Sequence, residues 1–307
     1  MARTPRKSAT LSRQTTPYLL MLPAAALVLV ALGWPMLRQF IMSFQEFGLA
    51  QQFGQPPTWV FLDNYATIVK DPYFWAVLAK SLGFCAWTAG WTMILAVLFA
   101  LLMRAASPVV RTAMNVVLII VWAMPLMASL TLWQWLVDPN FGLVNHALVS
   151  MGLEQFAGFS WLANSFWTFY LIASAVIVWA SMPLATISIY AALTQVDEAQ
   201  IEAAQLDGAG YLQRLRHVIM PTIAPVISLI GVLQVIWDLR VFTHIYVLQG
   251  AGGISTETNL LGTYVYQVGI AEGDYGMASA LATIILLITL VITGKYIHML
   301  FTRGEVN

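Results

Sequence analysis

The sequence predicts an all-α membrane protein with six transmembrane helices, and three observations support this fold class. Of the 307 residues, 60% are hydrophobic and only 9% are charged, whereas about a quarter of a typical soluble domain is charged. The apolar residues fall in six long runs, and most Lys and Arg residues collect on one side of those runs. A chain of this composition is expected to lie in a lipid bilayer.

Each apolar run is long enough to form a transmembrane helix, because about 20 apolar residues cross the roughly 30 Å hydrocarbon core. Several runs contain proline, which membrane helices tolerate and which predicts a kink. The first run follows basic residues but no small-residue cleavage site follows it, so we interpret it as an uncleaved helix. A cytosolic tail, residues 1–16, is expected before one transmembrane domain, residues 17–307. The predicted spans lie at about residues 17–44, 74–103, 112–136, 166–193, 222–247 and 277–301.

The distribution of Lys and Arg predicts the orientation of the chain, because cytosolic loops of membrane proteins are enriched in these residues. The loops at about 137–165 and 248–276 contain neither, and Lys70 is the clear exception on that outer side. Ten of the 14 Lys and Arg residues then lie inside: Arg3, Arg6, Lys7, Arg13, Arg104, Arg111, Arg214, Arg216, Lys295 and Arg303. Both termini are therefore predicted to be cytosolic.

Composition and motifs argue against several classes of function. The net charge of zero gives no basic surface that would indicate nucleic-acid binding. Cys85 is the single cysteine, so no intrachain disulfide can form, and its apolar context is typical of a buried cysteine. The sequence contains no Gly-Lys-Ser/Thr phosphate loop, no His/Cys metal spacing and no Gly-x-Ser-x-Gly element. It therefore does not indicate an enzyme, ATP hydrolysis by this chain, or a bound cofactor or metal.

One predicted cytosolic loop differs from the rest of the apolar chain: residues 201–221, IEAAQLDGAGYLQRLRHVIMP, between the fourth and fifth spans. Its pattern predicts two short helices separated at Asp207 and Gly208, because glycine readily takes the left-handed backbone that turns the chain. Pro221 is expected at the start of the next membrane helix, where its missing N–H is harmless. The alternative is an amphipathic loop on the lipid headgroups, which suits the arginines of the loop but not its carboxylates.

The same stretch resembles the EAA loop of binding-protein-dependent ABC importer permeases. That pattern is Glu-Ala-Ala, three residues, Gly, nine residues, Ile, one residue and Leu-Pro. The chain departs from it with Val218 for Ile and Met220 for Leu, both apolar replacements of similar size. The residues that the resemblance assigns to coupling are the motif positions Glu202, Ala203, Ala204, Gly208 and Pro221, together with Asp207. Stretches 61–82, 135–148, 239–253 and 255–269 resemble the sugar-type subgroup, which includes maltose and glycerol-phosphate permeases.

The resemblance implies the all-α type I ABC importer permease fold, with the EAA loop at about residues 194–221 as a coupling helix. Such a helix docks in a cleft on a separate ATPase subunit and moves when that subunit closes on ATP. Glu202 is then the polar anchor, Ala203 and Ala204 are the close-packing face, and Gly208 is the bend.

The resemblance also implies the partners of the chain. They are a second related permease chain, two copies of an ATPase subunit that hold ATP and Mg²⁺, and an extracytoplasmic sugar-binding protein. The expected location is the cytoplasmic membrane of a prokaryote.

A stripe of the fifth predicted span is the candidate substrate path. Gln234, Trp237, Asp238 and Val241 are spaced by three and four residues and share one helical face. Positions matching this stripe contact the sugar in maltose-type relatives. The resemblance therefore implies that Trp237 stacks on the sugar, that Gln234 and Asp238 bond its hydroxyls, and that Val241 forms an apolar wall. Simple packing is the alternative for an aromatic residue at this spacing.

Two further groups bear on that path. Ser181 and Leu184, on the fourth span, match positions of the same site in the family. Asp238 and Arg240 are ionisable residues within a predicted span, where leaving a charge in lipid is costly. They lie two residues apart and so point to different sides of a helix, and an ion pair with another helix is the alternative role for Arg240.

Three functions remain open at this point. The first is the permease of an ATP-driven importer for a disaccharide-sized sugar, such as a chitobiose-, cellobiose- or maltose-like one. The second is the same machine for a glycerol-phosphate-type solute or a polyol; a phosphate would call for basic residues in the path, where only Arg240 is found. The third is a secondary transporter or channel, for which a longer chain with two repeated halves is expected.

Overall fold

The protein is built mainly of helices. A computed structural model describes residues 16–304. Two short antiparallel strands, β1 (Gln45–Glu46) and β2 (Thr58–Trp59), form a small hairpin. Single turns of π-helix occur at Leu29–Gly33, Leu215–Ile219 and Gln267–Ala271, and a 3₁₀ turn at Glu154–Phe156. The α-helices are α1 (Thr16–Val28), α2 (Trp34–Met42), α3 (Leu49–Gln52), α4 (Asp63–Lys70), α5 (Pro72–Ala105), α6 (Pro108–Ala123), α7 (Leu126–Leu136), α8 (Leu143–Ser150), α9 (Phe166–Leu193), α10 (Glu198–Leu206), α11 (Tyr211–Arg214), α12 (Met220–Leu239), α13 (Thr243–Gly250), α14 (Ser255–Thr258), α15 (Leu261–Tyr266) and α16 (Tyr275–Gly304).

Five continuous helical segments between residues 16 and 304 are long and apolar enough to cross a membrane. They correspond to the first, second, fourth, fifth and sixth predicted spans. Helices α6 and α7 make up the third, but they are bent by 100° at their junction. Six apolar segments were expected and six are present when this pair is counted as one, which confirms the predicted fold class.

The third predicted span is broken rather than kinked. Met124 is extended, with ψ of 129°, and Pro125 follows it as the residue before α7. Proline disfavours the helical conformation of the residue before it, because its ring clashes with that residue's backbone. A kink was expected in this proline-containing span, and the 100° bend before Pro125 is sharper than a kink, so α6 and α7 are separate helices.

The fifth predicted span has different ends from those expected. Its helix begins at Tyr211, passes through the π turn Leu215–Ile219 and ends at Leu239. Pro221 is the second residue of α12, near its start as predicted, but α12 continues a helix that runs from Tyr211 through the π turn. The wider π turn accommodates the Pro221 ring and its missing N–H, whereas the interior of a regular α-helix does not.

The chain divides into two compact units. The first contains the described residues up to Ile68 together with Val268–Thr283. Within it, Gly276 N donates to the Phe47 carbonyl, and a Cβ on Gly276 would collide with the Gln45 carbonyl. Glycine is therefore required where α16 begins beside the hairpin.

The second unit contains Val69–Gln267 together with the described residues from Ile284 onward. In it α5 packs along α9, and α12 packs against both. Small buried residues line the close contact at the predicted cytosolic end: Ala96, Ala100, Ala185 and Ala192. Small side chains let membrane helices approach closely. Close van der Waals packing then stabilises the contact, because the hydrophobic effect does not drive helices together within lipid.

Candidate functional site

The predicted cytosolic loop forms a helix–bend–helix element, which we call the cytosolic bend and define as residues 197–214. The Asp197 side chain caps α10 by accepting a hydrogen bond from Ala199 N at 2.9 Å. Helix α10 ends at Leu206, and Gly208 has a left-handed backbone with φ of +81°. The predicted break at Asp207 and Gly208 is confirmed.

Backbone hydrogen bonds fix the angle of the bend. Ala209 N donates to the Ala204 carbonyl at 2.9 Å, and Gly208 N donates to the Gln205 carbonyl at 3.1 Å. These two bonds define a Schellman motif, which satisfies the last carbonyls of a helix through a left-handed residue. The Arg214 guanidinium donates to Gln205 Oε1 at 2.9 Å and ties the second helix of the bend to the first. The bend is therefore a defined turn rather than a loose loop.

The cytosolic bend is attached to the membrane helices at two points. Arg104, near the end of α5, forms an ion pair with Glu198 in the first turn of α10 at 3.1 Å. Ile201 packs against the buried cluster at the cytosolic end of α5, α9 and α12, which includes Ile219 and Ile223. These contacts hold α10 against the bundle through one face and leave its other face free.

The free face of the cytosolic bend is apolar as well as acidic. Leu206 is 89% exposed, Leu212 73% and Tyr211 64%. Glu202 and Ala203 are also exposed, but Ala204 is half-buried. The sequence interpretation treated the two alanines as one docking face and overlooked the larger apolar residues. Leucines in a polar cytosolic segment were the signal that could have identified them.

The predicted substrate stripe is split by the tertiary structure. Gln234 and Asp238 are buried, at 1% and 4% exposure, and Gln234 Nε2 donates to Asp238 Oδ1 at 2.9 Å. Trp237, in contrast, is 51% exposed. Val241 lies beyond the end of α12 and packs in the buried cluster toward the predicted outer side. The four residues therefore do not share one continuous helical face, because the helix ends before Val241.

Asp238 has a free acceptor in the described chain. Its Oδ2 atom is buried and receives no hydrogen bond from a described residue. The Thr88 hydroxyl lies near Asp238, and its oxygen is 2.8 Å from the Phe84 carbonyl and 3.3 Å from the Cys85 carbonyl. A buried acceptor without a partner is costly, so a ligand hydroxyl that arrives in another state of the transporter is one way to satisfy it. The role of Asp238 in sugar binding stays a prediction.

The remaining candidate residues lie on α9 and just after α12. Ser181 and Leu184 are half-buried on α9, which packs against α12. Arg240 is exposed just after α12 and forms no ion pair with a described residue, so the structure gives no support to the ion-pair alternative. Within the part of the chain that the structure describes, no group of His, Cys, Asp and Glu residues could hold a metal ion.

Comparison with known proteins identifies the class to which the fold and the cytosolic bend belong. Residues 92–304 match the family described as the binding-protein-dependent transport system inner membrane component. The chain belongs to this family. It is the membrane component of an ABC transporter and a multi-pass protein of the cytoplasmic membrane. The alternative of a secondary transporter or channel is therefore wrong.

Two relatives cover nearly the whole chain. The diacetylchitobiose uptake system permease protein DasB of Streptomyces coelicolor is 36% identical over 94% of this chain and 88% of that protein. The trehalose/maltose transport system permease protein MalF of Thermococcus litoralis is 29% identical over 92% of each chain.

Two solved structures share the fold. A chain of a bacterial ABC transporter involved in the import of the acidic polysaccharide alginate has a TM-score of 0.81 and 24% identity, and covers 94% of this chain and 96% of that one. A second structure of a bacterial alginate ABC transporter, in complex with an alginate pentasaccharide-bound periplasmic protein, gives a TM-score of 0.79 and 23% identity over 96% and 97% of the two chains.

Proposed function

We propose that the chain is one permease subunit of an ATP-driven importer for a sugar or oligosaccharide of about disaccharide size. The two relatives are named for diacetylchitobiose and for trehalose and maltose, and the structural neighbours for alginate. All four solutes are carbohydrates. A second related permease chain completes the pathway in this proposal, and an extracytoplasmic sugar-binding protein delivers the solute.

The cytosolic bend is the observation that supports the coupling role. Its geometry is fixed by hydrogen bonds, yet Leu206, Tyr211 and Leu212 are exposed on the side predicted to face the cytosol. Exposed apolar side chains on a rigid element favour a protein partner, because docking removes them from water. In the proposal that partner is a separate ATPase subunit, present in two copies, which holds ATP and Mg²⁺.

Leu206 offers a direct test of docking. A glutamate at this 89% exposed position costs little in the free chain, but docking would bury its charge. Leu206→Glu is expected to reduce co-purification of the ATPase with the tagged chain by at least about tenfold, the effect of roughly 1.4 kcal/mol. Membrane insertion should be unchanged.

Leu143→Glu is the matched control, since Leu143 is an exposed leucine of α8 on the predicted outer side. It should leave ATPase capture intact. Normal capture by Leu206→Glu would instead support a loop that rests on lipid headgroups, and would contradict the coupling role.

The solute class has its own test. The transporter is reconstituted with its binding protein, and uptake of diacetylchitobiose, cellobiose, maltose and glycerol 3-phosphate is compared. ATP-dependent uptake of at least one disaccharide is expected. Uptake of glycerol 3-phosphate alone would favour the second candidate function.

A further inference from the structure

An open pocket lies at the predicted outer end of the second unit, where α7 meets the loop that follows it and the turn after α13. Its volume is about 370 Å³, within the roughly 300–1,000 Å³ typical of small-molecule sites. The residues that give it chemical character are Thr131, Gln134, Trp135, Asp138 and Ser160.

The polar groups of the pocket have unused bonding capacity. Asp138 Oδ1 accepts from Asn140 N and Phe141 N at 2.8 and 2.9 Å, which leaves Oδ2 available. Gln134 Nε2 donates to the Val247 carbonyl at 3.1 Å, which leaves its amide oxygen available. The Ser160 hydroxyl bonds to no described residue. Trp135 is 55% exposed and presents an apolar ring beside these acceptors.

A frame of hydrogen bonds holds the two arms of the pocket together. Asn145 is buried and donates from Nδ2 to the carbonyls of Pro139 and Phe159, at 3.3 and 2.8 Å. Its Oδ1 accepts from Trp161 Nε1 at 2.6 Å. Pro139 adjoins Asp138 and Phe159 adjoins Ser160, so Asn145 fixes both polar walls. The pocket is therefore preorganised by its own loop.

A second groove on the same unit provides a contrast. It has a volume of about 460 Å³ and is lined by aromatic and aliphatic side chains, among them Trp87 and Trp167, with Lys80 as its charged residue. It contains no carboxylate and no side-chain amide. Exposed tryptophans line both sites, but of the two only the pocket around Trp135 sets one beside carboxylate, amide and hydroxyl oxygens.

We propose that the pocket around Trp135 is an outer sugar-binding site that takes one pyranose ring of the transported carbohydrate. Trp135 stacks against the C–H face of the ring, and Asp138 Oδ2 and Gln134 Oε1 accept hydrogen bonds from its hydroxyls. An apolar platform flanked by acceptors matches a pyranose, which has one apolar face and a rim of O–H donors. This inference rests on the proposed function, because it takes the solute to be a carbohydrate. None of the candidate path residues of α9 and α12 lines this site, which would hold the sugar before it enters the membrane.

The test uses the complete transporter in lipid nanodiscs and in proteoliposomes. Diacetylchitobiose, cellobiose and maltose are the probes. Binding to the nanodisc complex without binding protein is followed by saturation-transfer NMR, and ATP-driven uptake at sub-saturating sugar is measured with binding protein present. The variants are Trp135→Ala and Asp138→Asn. Asp138→Asn keeps the Oδ1 acceptor of the local turn, so it changes the pocket without opening its frame.

Trp135→Ala and Asp138→Asn are each expected to weaken binding of the sugar that the wild type takes up by about tenfold, since one lost hydrogen bond or stacking contact has an effect of that order. Uptake at sub-saturating sugar concentration should fall together with binding. Trp167→Ala, in the apolar groove, is the matched control and should bind and transport as the wild type does.

Each contrary result has a distinct meaning. Disaccharide uptake with unchanged binding in both Trp135→Ala and Asp138→Asn would overturn the outer site and leave the importer intact. An equal loss in Trp167→Ala would also overturn it, because the effect would not be specific to the pocket. Absence of disaccharide binding and uptake in the wild type would reject the proposed function and the outer site together.

Discussion

At the scale of single residues, Gly208 and Gly152 have comparable backbone conformations. Their φ angles are +81° and +89°, and a Cβ at either position would meet open space. Valine at either site therefore costs only the left-handed conformation itself, about 1–2 kcal/mol for an L-residue. Gly208 lies in the cytosolic bend, whereas Gly152 follows α8 on the predicted outer side.

Gly208→Val is expected to lower transport and substrate-stimulated ATP hydrolysis together by at least about tenfold, because the strain opens the turn that orients α10. Gly152→Val carries the same local strain and should retain both activities. Each variant should insert normally in membrane fractions. Full activity in a well-expressed Gly208→Val variant would remove the coupling assignment.

Asp238 and Gln234 form a buried polar pair. Substitutions at Asp238 distinguish a role in sugar contact from a purely structural role. Asp238→Asn keeps the size and an oxygen that accepts from Gln234, whereas Asp238→Leu leaves the Gln234 amide unpaired at a cost of about 1–3 kcal/mol. We expect uptake to be partly retained in Asp238→Asn and lost in Asp238→Leu. Thermal melting of the complex should fall only for Asp238→Leu.

Trp237→Ala serves as the companion variant, since Trp237 is half exposed and its removal leaves no buried group unpaired. It should weaken uptake without changing basal ATP hydrolysis. Full uptake by both Trp237→Ala and Asp238→Leu would place the substrate path away from α12.

At the scale of elements, the loop between α7 and α9 is a small folded structure of its own. Helix α8, the Asn145 hydrogen bonds and the rings of Phe156, Phe159 and Trp161 hold it together. Asn145→Ala removes three hydrogen bonds and leaves the Trp161 N–H and two carbonyls unsatisfied.

We expect Asn145→Ala to destabilise this loop by about 3 kcal/mol or more, which hydrogen exchange should report as faster exchange of the amides at 137–162. His146→Ala is the control, because His146 is exposed and makes no side-chain hydrogen bond to a described residue. Unchanged exchange in Asn145→Ala would show that the aromatic rings hold the loop without the amide.

At the scale of the whole molecule, the bent pair α6–α7 decides the topology. Five crossings would leave the termini on opposite sides, whereas six return the chain to the cytosol. The Lys and Arg distribution favours six, because Arg104 and Arg111 flank the junction between α5 and α6, whereas the loop after α7 contains no basic residue.

Cysteine labelling in a Cys85→Ala background tests this directly, since Cys85 is buried and alanine is a small change. Thiols introduced at Asn140 and Ser255 should react with a membrane-impermeant reagent from outside, and one at Gln213 only from inside. If α6 and α7 instead entered the membrane and returned to the same side, Asn140 would lie inside and Gln213 outside. That pattern would overturn the six-crossing topology.

The sequence by itself determined the features that depend on local composition. Run length and Lys/Arg asymmetry predicted the apolar segments and their orientation, and the spacing around Glu202 and Gly208 predicted both the family and the left-handed bend. These features follow from a residue's own backbone preferences or from its transfer into lipid, and neither requires a distant partner.

The tertiary structure decided what depends on residues far apart in the chain. The end of α12 at Leu239 has no proline or glycine to mark it, and Gly262 approaches the Val241 carbonyl so closely that a Cβ would lie 2.9 Å from it. The burial of the Gln234–Asp238 pair depends on how α12 packs against α5 and α9. In the outer pocket Gln134 is positioned by the Val247 carbonyl, 113 residues away. Periodicity along one helix cannot reveal such contacts, because the packing of other helices determines which side of α12 is buried and where the helix ends.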